Sequence, residues 1–223
     1  MTQSSSEPDY VLARNRMVDG QVRPLQVSDA RIIKAMREMP RERFVPAGCA
    51  ALAYADRPVA LGSGRVLMEP RIIARMLQTA VPRAGERALV VAAGTGYAAA
   101  LLSRLGLRVI ALEQDPQLAK EGRGVCAELA PAVRFEHGTL ADGWPAGAPY
   151  ELILIDGAVR ALPPAMAGQL AAGGRLAAVL CPQGRVGTAV LAEASNGGLR
   201  GRPQFDAATP LIPELLAGPA FEF

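Results

Sequence analysis

The sequence predicts an α/β protein built on a doubly wound, mostly parallel sheet, with an antiparallel hairpin at its C-terminal edge and a helical arm ahead of it. Three observations carry this. From residue 85 onward, short continuous apolar runs alternate with amphipathic segments, as in strands buried on both faces and joined by helical crossovers. The first run leads into Gly94-Thr95-Gly96, a turn suited to joining a strand to a helix. The rhythm then breaks near the end, where Asn196-Gly197-Gly198 separates two strand-like segments with no room for a helix.

Residues 1–9 read as a loose tail, and Val11–Val22 as a weak helix closed by Arg23-Pro24. Ser28-Asp29 offers an N-cap for a helix whose apolar face is Ile32, Ile33, Met36 and Met39, and Pro40 stops it. Residues 44–70 carry scattered Pro and Gly, including Gly62-Ser63-Gly64, and form an ordered loop with short strands. Ile72, Ile73, Met76 and Leu77 mark one helix face. Then come the strand Arg87–Ala93, the helix Tyr97–Leu105, the strand Arg108–Leu112 ending in Glu113, and the helix Pro116–Leu129. Strands follow at Ala132–Glu136 and Glu151–Ile155, a helix at Leu162–Leu170, a strand at Arg175–Leu180, and the hairpin Val186–Ala194 with Leu199–Phe205. Alternation of this kind places helices on both faces of the sheet.

Composition narrows the function. The chain has 223 residues, one domain's worth, of which half are hydrophobic and a fifth charged, so it is neither disordered nor collagen-like. Positive charge comes almost wholly from arginine, since Lys34 and Lys120 are the two lysines, and residues 14–43 hold eight basic against four acidic side chains. That is a solvated basic arm; without a longer stripe and interleaved aromatics it does not make a nucleic-acid surface. Cys49, Cys126 and Cys181 lack the spacing of a zinc site or disulfide framework and read as core residues in a reducing compartment. The polar N-terminus and the lack of a long apolar run point to a soluble, cytoplasmic protein without a membrane partner. His137, the one histidine, sustains neither a metal site nor a catalytic triad, and no metal is expected.

Chemistry should lie where the first strand ends. The Gly94–Gly96 turn lets a ligand approach the backbone ahead of a helix N-terminus, and Glu113, seventeen residues after Gly96, ends the next strand where a carboxylate can accept both ribose hydroxyls. The pair is shared by dinucleotide and S-adenosylmethionine (AdoMet) enzymes. The plain alternative is a strand–helix turn beside a surface acid. AdoMet is favoured because the nucleotide half starts only near residue 85, after a loop-rich lid, and because the sheet ends in a hairpin rather than a second βαβ half.

On these residues the chain resembles the protein-L-isoaspartate O-methyltransferase family, in its divergent bacterial branch, from about Met17 to about Pro213. The marks are Arg41-Glu42-Arg43-Phe44-Val45-Pro46, Ala53-Tyr54-Ala55-Asp56, Leu61-Gly62-Ser63-Gly64 with Pro70, and Gly94-Thr95-Gly96-Tyr97. Further on stand Gly143-Trp144-Pro145 through Tyr150, and Leu162-Pro163-Pro164 through Gly173-Gly174-Arg175-Leu176. The resemblance implies a seven-stranded AdoMet-dependent methyltransferase sheet over residues 81–223, with residues 1–80 as an extension covering the site. It implies methyl transfer to the carboxylate of isoaspartyl residues in damaged proteins, the first step of their repair, with S-adenosylhomocysteine (AdoHcy) as product. The cofactor-binding candidates are Leu67, Gly94, Thr95, Gly96, Tyr97, Glu113, Gln114, Thr139 and Leu140, and the catalytic candidates are Asp56 and Met68.

The chain departs from the family at the site. The family segment Gly-Gln-Thr-Ile-Ser-Gln-Pro reads Gly64-Arg65-Val66-Leu67-Met68-Glu69-Pro70, so Val66 and Met68 stand where hydroxyls face substrate. The acid and glycine that end the first strand are Val90 and Ala92, and a Gly-Asp-Gly is Gly138-Thr139-Leu140. Carboxyl methylation is an in-line displacement by an already ionised nucleophile and needs no general base, so these losses remove orientation rather than the reaction itself. They leave open a methyltransferase with a different acceptor, or a binding module that has lost catalysis. Arg65 reads as solvated or as an anion-binding side chain, Trp144 as a packing anchor, and Asp142 as a turn cap.

Overall fold

The computed structural model describes residues 9–183, 185–195 and 198–216. Most of the expected tail and the Asn196-Gly197 pair of the hairpin turn lie outside the described residues.

The arm opens with α1 (Tyr10–Met17), whose N-cap Asp9 accepts from the Leu12 N–H at 2.9 Å, and continues through a π-helical turn at Val18–Val22. Asp29 caps α2 (Ala30–Glu38) as its sequence predicts, and Ile32, Ala35, Met36 and Met39 are buried beneath it. The arm's basic residues are largely matched by nearby acids: Arg23 and Arg37 with Asp19, Arg31 with Asp29, and Lys34 with Glu38. Two 3-10 segments follow, Arg41–Phe44 and Ala47–Tyr54, then a hairpin of β1 (Val59–Gly62) and β2 (Arg65–Leu67), then α3 (Pro70–Ala80).

The sheet itself has seven strands: β3 (Arg87–Val91), β4 (Arg108–Glu113), β5 (Arg134–His137), β6 (Tyr150–Val159), β7 (Leu170–Leu180), β8 (Thr188–Ser195) and β9 (Gly198–Asp206). They lie in the order β5-β4-β3-β6-β7-β8-β9, all pairs parallel up to β7, with β8 antiparallel to both β7 and β9. Helices α4 (Tyr97–Arg104) and α5 (Pro116–Leu129) supply the first crossovers. The strand order reverses between β3 and β6, so the crevice outside their carboxyl ends is where an open α/β sheet binds a ligand.

Side chains of alternating strand positions enter two cores. One face carries Ala88, Val90, Leu152, Leu154 and Val179 against α2, α3, α4 and α5, and that cluster runs from Met17 to Ala207. The other carries Leu89, Val91, Ile153, Ile155 and Leu176 against Tyr150, Met166, Ile212 and Leu215. The α-helix expected over Leu162–Leu170 is a correction: the structure has a 3-10 segment at Pro164–Gln169, and β7 already begins at Leu170. Six residues, Pro164–Gln169, separate the N-cap Pro163 from the strand, too short a span to sustain an α-helix, whose first turn is costly to nucleate.

Candidate active site

Two neighbouring strand ends build the site. Past β3, Gly94 and Gly96 take φ of +53° and +93° and turn the chain into α4. A Cβ on Gly94 would come within 2.9 Å of Leu61 Cδ1, and one on Gly96 within 2.8 Å of Cys126 Sγ and Phe135 Cζ, so both backbone shape and space require glycine. Ala92 also has a positive φ, +60°, where an L residue is strained.

Beside this turn, β4 ends in the fully buried Glu113. Its Oε2 accepts from the Gly94 N–H at 2.8 Å, and its Oε1 from the N–H groups of Gln114 at 2.7 Å and Asp115 at 3.0 Å. Arg65 of β2, equally buried, adds two donors, Nη2 at 3.2 Å from Oε1 and Nε at 3.3 Å from Oε2. Five donors use up the acceptor capacity of one carboxylate. Arg65 Nη1 also donates to Glu214 Oε2 at 2.5 Å. Burial alone would lower the Arg65 pKa, but Glu214 and Glu113 outweigh it and leave it raised. With Ser63 Oγ at 2.5 Å from Asp115 Oδ2 and Leu61 against Gly94, the β1–β2 hairpin lies across both strand ends.

The arm reaches the same place. Thr95 Oγ1 donates to the Phe44 carbonyl at 2.5 Å. Arg41, fully buried, donates from Nε to the Ala53 carbonyl at 2.6 Å and from Nη2 to the Met68 carbonyl, and its guanidinium lies 4.7 Å from the Tyr97 ring centre. Arg41 Nη1 and Tyr97 Oη are buried without a partner. Desolvation lowers the Arg41 pKa and raises that of Tyr97.

β6 forms the far wall. Val91 pairs with Ile155, and the next residue, Asp156, is 9% exposed. Burial pushes its pKa up to about 7; Arg41 and Arg65 oppose the rise and Glu113 adds to it, and no hydrogen bond contributes.

Of the residues singled out from sequence, Leu67, Met68, Gly94, Thr95, Gly96, Tyr97 and Glu113 are all buried around the ends of β2, β3 and β4. Gln114 joins the loop after β5 to it: its Oε1 accepts from the Leu140 N–H at 3.1 Å, and its carbonyl is 3.0 Å from His137 Nε2. Thr139 is exposed in that loop and Leu140 is buried. Asp56 stands apart, exposed and paired with Arg71 at 3.1 Å. Arg65 is neither solvated nor free for an anion, a correction that follows from a partner 48 residues away. Trp144 is a packing anchor: its half-buried ring packs against the second core and lies beside Gly138, while its backbone accepts from Tyr150 Oη at 2.6 Å and donates to Gln169 at 2.8 Å. The Cys126 thiol is pushed up to about 12 by burial and is no nucleophile. Asp156 and Glu214 were not singled out, although Asp156 caps an apolar run as Glu113 does. No group of three or more potential metal ligands occurs among the described residues, and no helix there is long and apolar enough to cross a membrane.

Comparison with known proteins gives the same direction throughout. Residues 13–199 match the family model described as protein-L-isoaspartate(D-aspartate) O-methyltransferase. The chain is 44% identical over 172 residues to a protein-L-isoaspartate O-methyltransferase of Methylorubrum populi, covering 77% of this chain and 81% of that one. It is 38% identical over 206 residues to one of Methylorubrum extorquens, covering 92% and 88%. A Plasmodium falciparum protein of similar description, solved in complex with AdoHcy, superposes with a TM-score of 0.76 at 17% identity, over 90% of this chain and 98% of that one, a likeness of fold.

Proposed function

The chain belongs to the protein-L-isoaspartate(D-aspartate) O-methyltransferase family, and from that premise we propose that its crevice at the ends of β3, β4 and β6 is where the methyl group is transferred. The protein is an AdoMet-dependent methyltransferase of the isoaspartyl carboxyl type. Its substrate class is therefore protein carrying isoaspartyl residues.

The observation that carries the site is the joint between Glu113 and the glycine turn: one carboxylate, at a strand end, hydrogen-bonded to the Gly94 N–H at 2.8 Å. AdoMet supplies an electrophilic methyl group on a sulfonium when bound. The residues suit it in part. Gly94 and Gly96 leave the backbone bare, Glu113 would accept two ribose hydroxyls, and Gln114, Thr139 and Leu140 would flank the base. The two acceptor positions that a ribose needs are the two that Arg65 now fills, so the hairpin must release Glu113 for the cofactor to seat.

The protein's task in the reaction is alignment. The acceptor carboxylate is ionised at neutral pH, so no side chain has to remove a proton. Leu61, Leu67 and Met68 present apolar surface from the hairpin side and keep water from the reacting centre. Val66 and Met68 offer no hydroxyl to orient the acceptor, which lowers the rate without closing the route. Residues 1–80 act as the cover, a reading supported by the Thr95–Phe44 hydrogen bond and the hairpin's seat on Asp115 and Glu113.

The test is transfer of labelled methyl from AdoMet to a peptide carrying one isoaspartate, beside the same peptide carrying aspartate. A base-labile methyl ester on the isoaspartyl peptide alone is expected. AdoHcy binding without transfer to either peptide would move the acceptor to another class.

A further inference from the structure

Asp156 is a largely buried carboxylate at the strand ends that no described group hydrogen-bonds. Asp156 sits at the carboxyl end of β6, where the strand order reverses, directly across from the glycine turn. Its side chain receives no hydrogen bond from a described residue, although it is 9% exposed. The charged groups that bear on it are Arg41 from the arm, Arg65 from the hairpin and Glu113 from β4. Arg65 is already committed to Glu113 and Glu214, and Arg41 forms no ion pair with Asp156. A largely buried carboxylate with no protein donor is an open acceptor for a ligand's donor.

The chemistry of the ligand supplies such a donor. AdoMet ends in an α-amino acid, with an ammonium and a carboxylate on one carbon. The end of β3 offers it no charge, because Val90 and Ala92 stand there, both buried. We propose that Asp156 binds the α-ammonium of the cofactor's methionine moiety, with the unpartnered Nη1 of Arg41 facing its carboxylate. The inference rests on the AdoMet reading above. It moves recognition of the amino acid from the strand that carries the glycine turn to its neighbour across the switch point. The group is a binding and positioning residue, since it touches the cofactor away from the methyl group.

Calorimetric titration tests it with two ligands, AdoHcy and its deamino analogue, on the wild type and on Asp156→Asn. Loss of one charge-assisted hydrogen bond is expected to weaken AdoHcy binding by about 10- to 100-fold. The deamino analogue should bind both proteins within about threefold, as independent loss of the same contact from either side requires. Equal weakening of both ligands by Asp156→Asn, or no weakening of either, overturns the assignment and leaves the AdoMet reading intact. Wild-type protein that binds neither ligand overturns both. Should the Asn variant not fold, Asp156→Glu replaces it: it must weaken AdoHcy more than the deamino analogue, and an equal effect on the two refutes the proposal.

Discussion

The guanidinium of Arg65 lies edge-on to the carboxylate of Glu113 in a two-point contact, 3.2 and 3.3 Å, with both side chains buried. A buried pair of this kind stabilises modestly while it is intact and costs about 3–5 kcal/mol when one partner is removed. On the proposed ribose contact, it also sets the cofactor against the hairpin for the same oxygens. Arg65→Met should therefore lower stability to denaturant by about 3 kcal/mol and tighten AdoHcy binding by about tenfold. Weaker binding in that variant would make Arg65 a support of the ligand instead of its rival.

Glu113→Gln keeps the volume and removes the charge. In the proposed ribose contact one acceptor becomes a donor and the other loses its charge, so AdoHcy affinity should fall by about 10- to 100-fold in calorimetry. An unchanged affinity would remove Glu113 from the binding site.

Asp156 gives the protein a pH signature. Its pKa is raised to about 7, mainly by burial, from an ordinary 3.8. A raised carboxyl favours the fold below pH 4, and that advantage disappears as pH climbs through 7. Relative to wild type, Asp156→Asn should gain nothing at pH 4 and up to about 4 kcal/mol at pH 8, the linkage ceiling for such a change. Chemical denaturation at the two pH values measures it.

Backbone strain at the turn is testable by opposite substitutions. Ala92→Gly relieves the +60° torsion and should be neutral to about 1 kcal/mol stabilising. Gly96→Ala forces a Cβ to within 2.8 Å of Cys126 and Phe135 and should cost more than about 2 kcal/mol. Thermal melts of the two variants should move apart.

Val66, half-buried on β2, is close in shape to threonine. Val66→Thr restores a hydroxyl and should raise kcat/KM for an isoaspartyl peptide by up to about tenfold, the value of one orienting hydrogen bond. Steady-state rates at low peptide concentration report it.

The sheet was legible because its signals are local. RALVV and ELILI announce buried strands, Asp29 announces a cap, and Gly94 and Gly96 announce the turn. Glu113 was legible from spacing to that turn. Arg65 was not, since an arginine in a loop shows nothing of a carboxylate 48 residues on. Asp56 reads as part of a motif, yet exposure and pairing with Arg71 are tertiary facts. Asp156 has the same local signature as Glu113, but its importance emerges only when the strand order places it opposite the turn.

The hydrogen bond from Thr95 to the Phe44 carbonyl ties the glycine loop to a backbone group 51 residues upstream. Recombining halves of related sequences at a junction near residue 80 would therefore exchange more than a detachable cap. Every such hybrid must bring a carbonyl back to the threonine hydroxyl at the right height, or the loop will be set by a foreign scaffold. Library designs that keep residues 41–46 and 92–97 from one parent should yield folded progeny more often than those that cut between them.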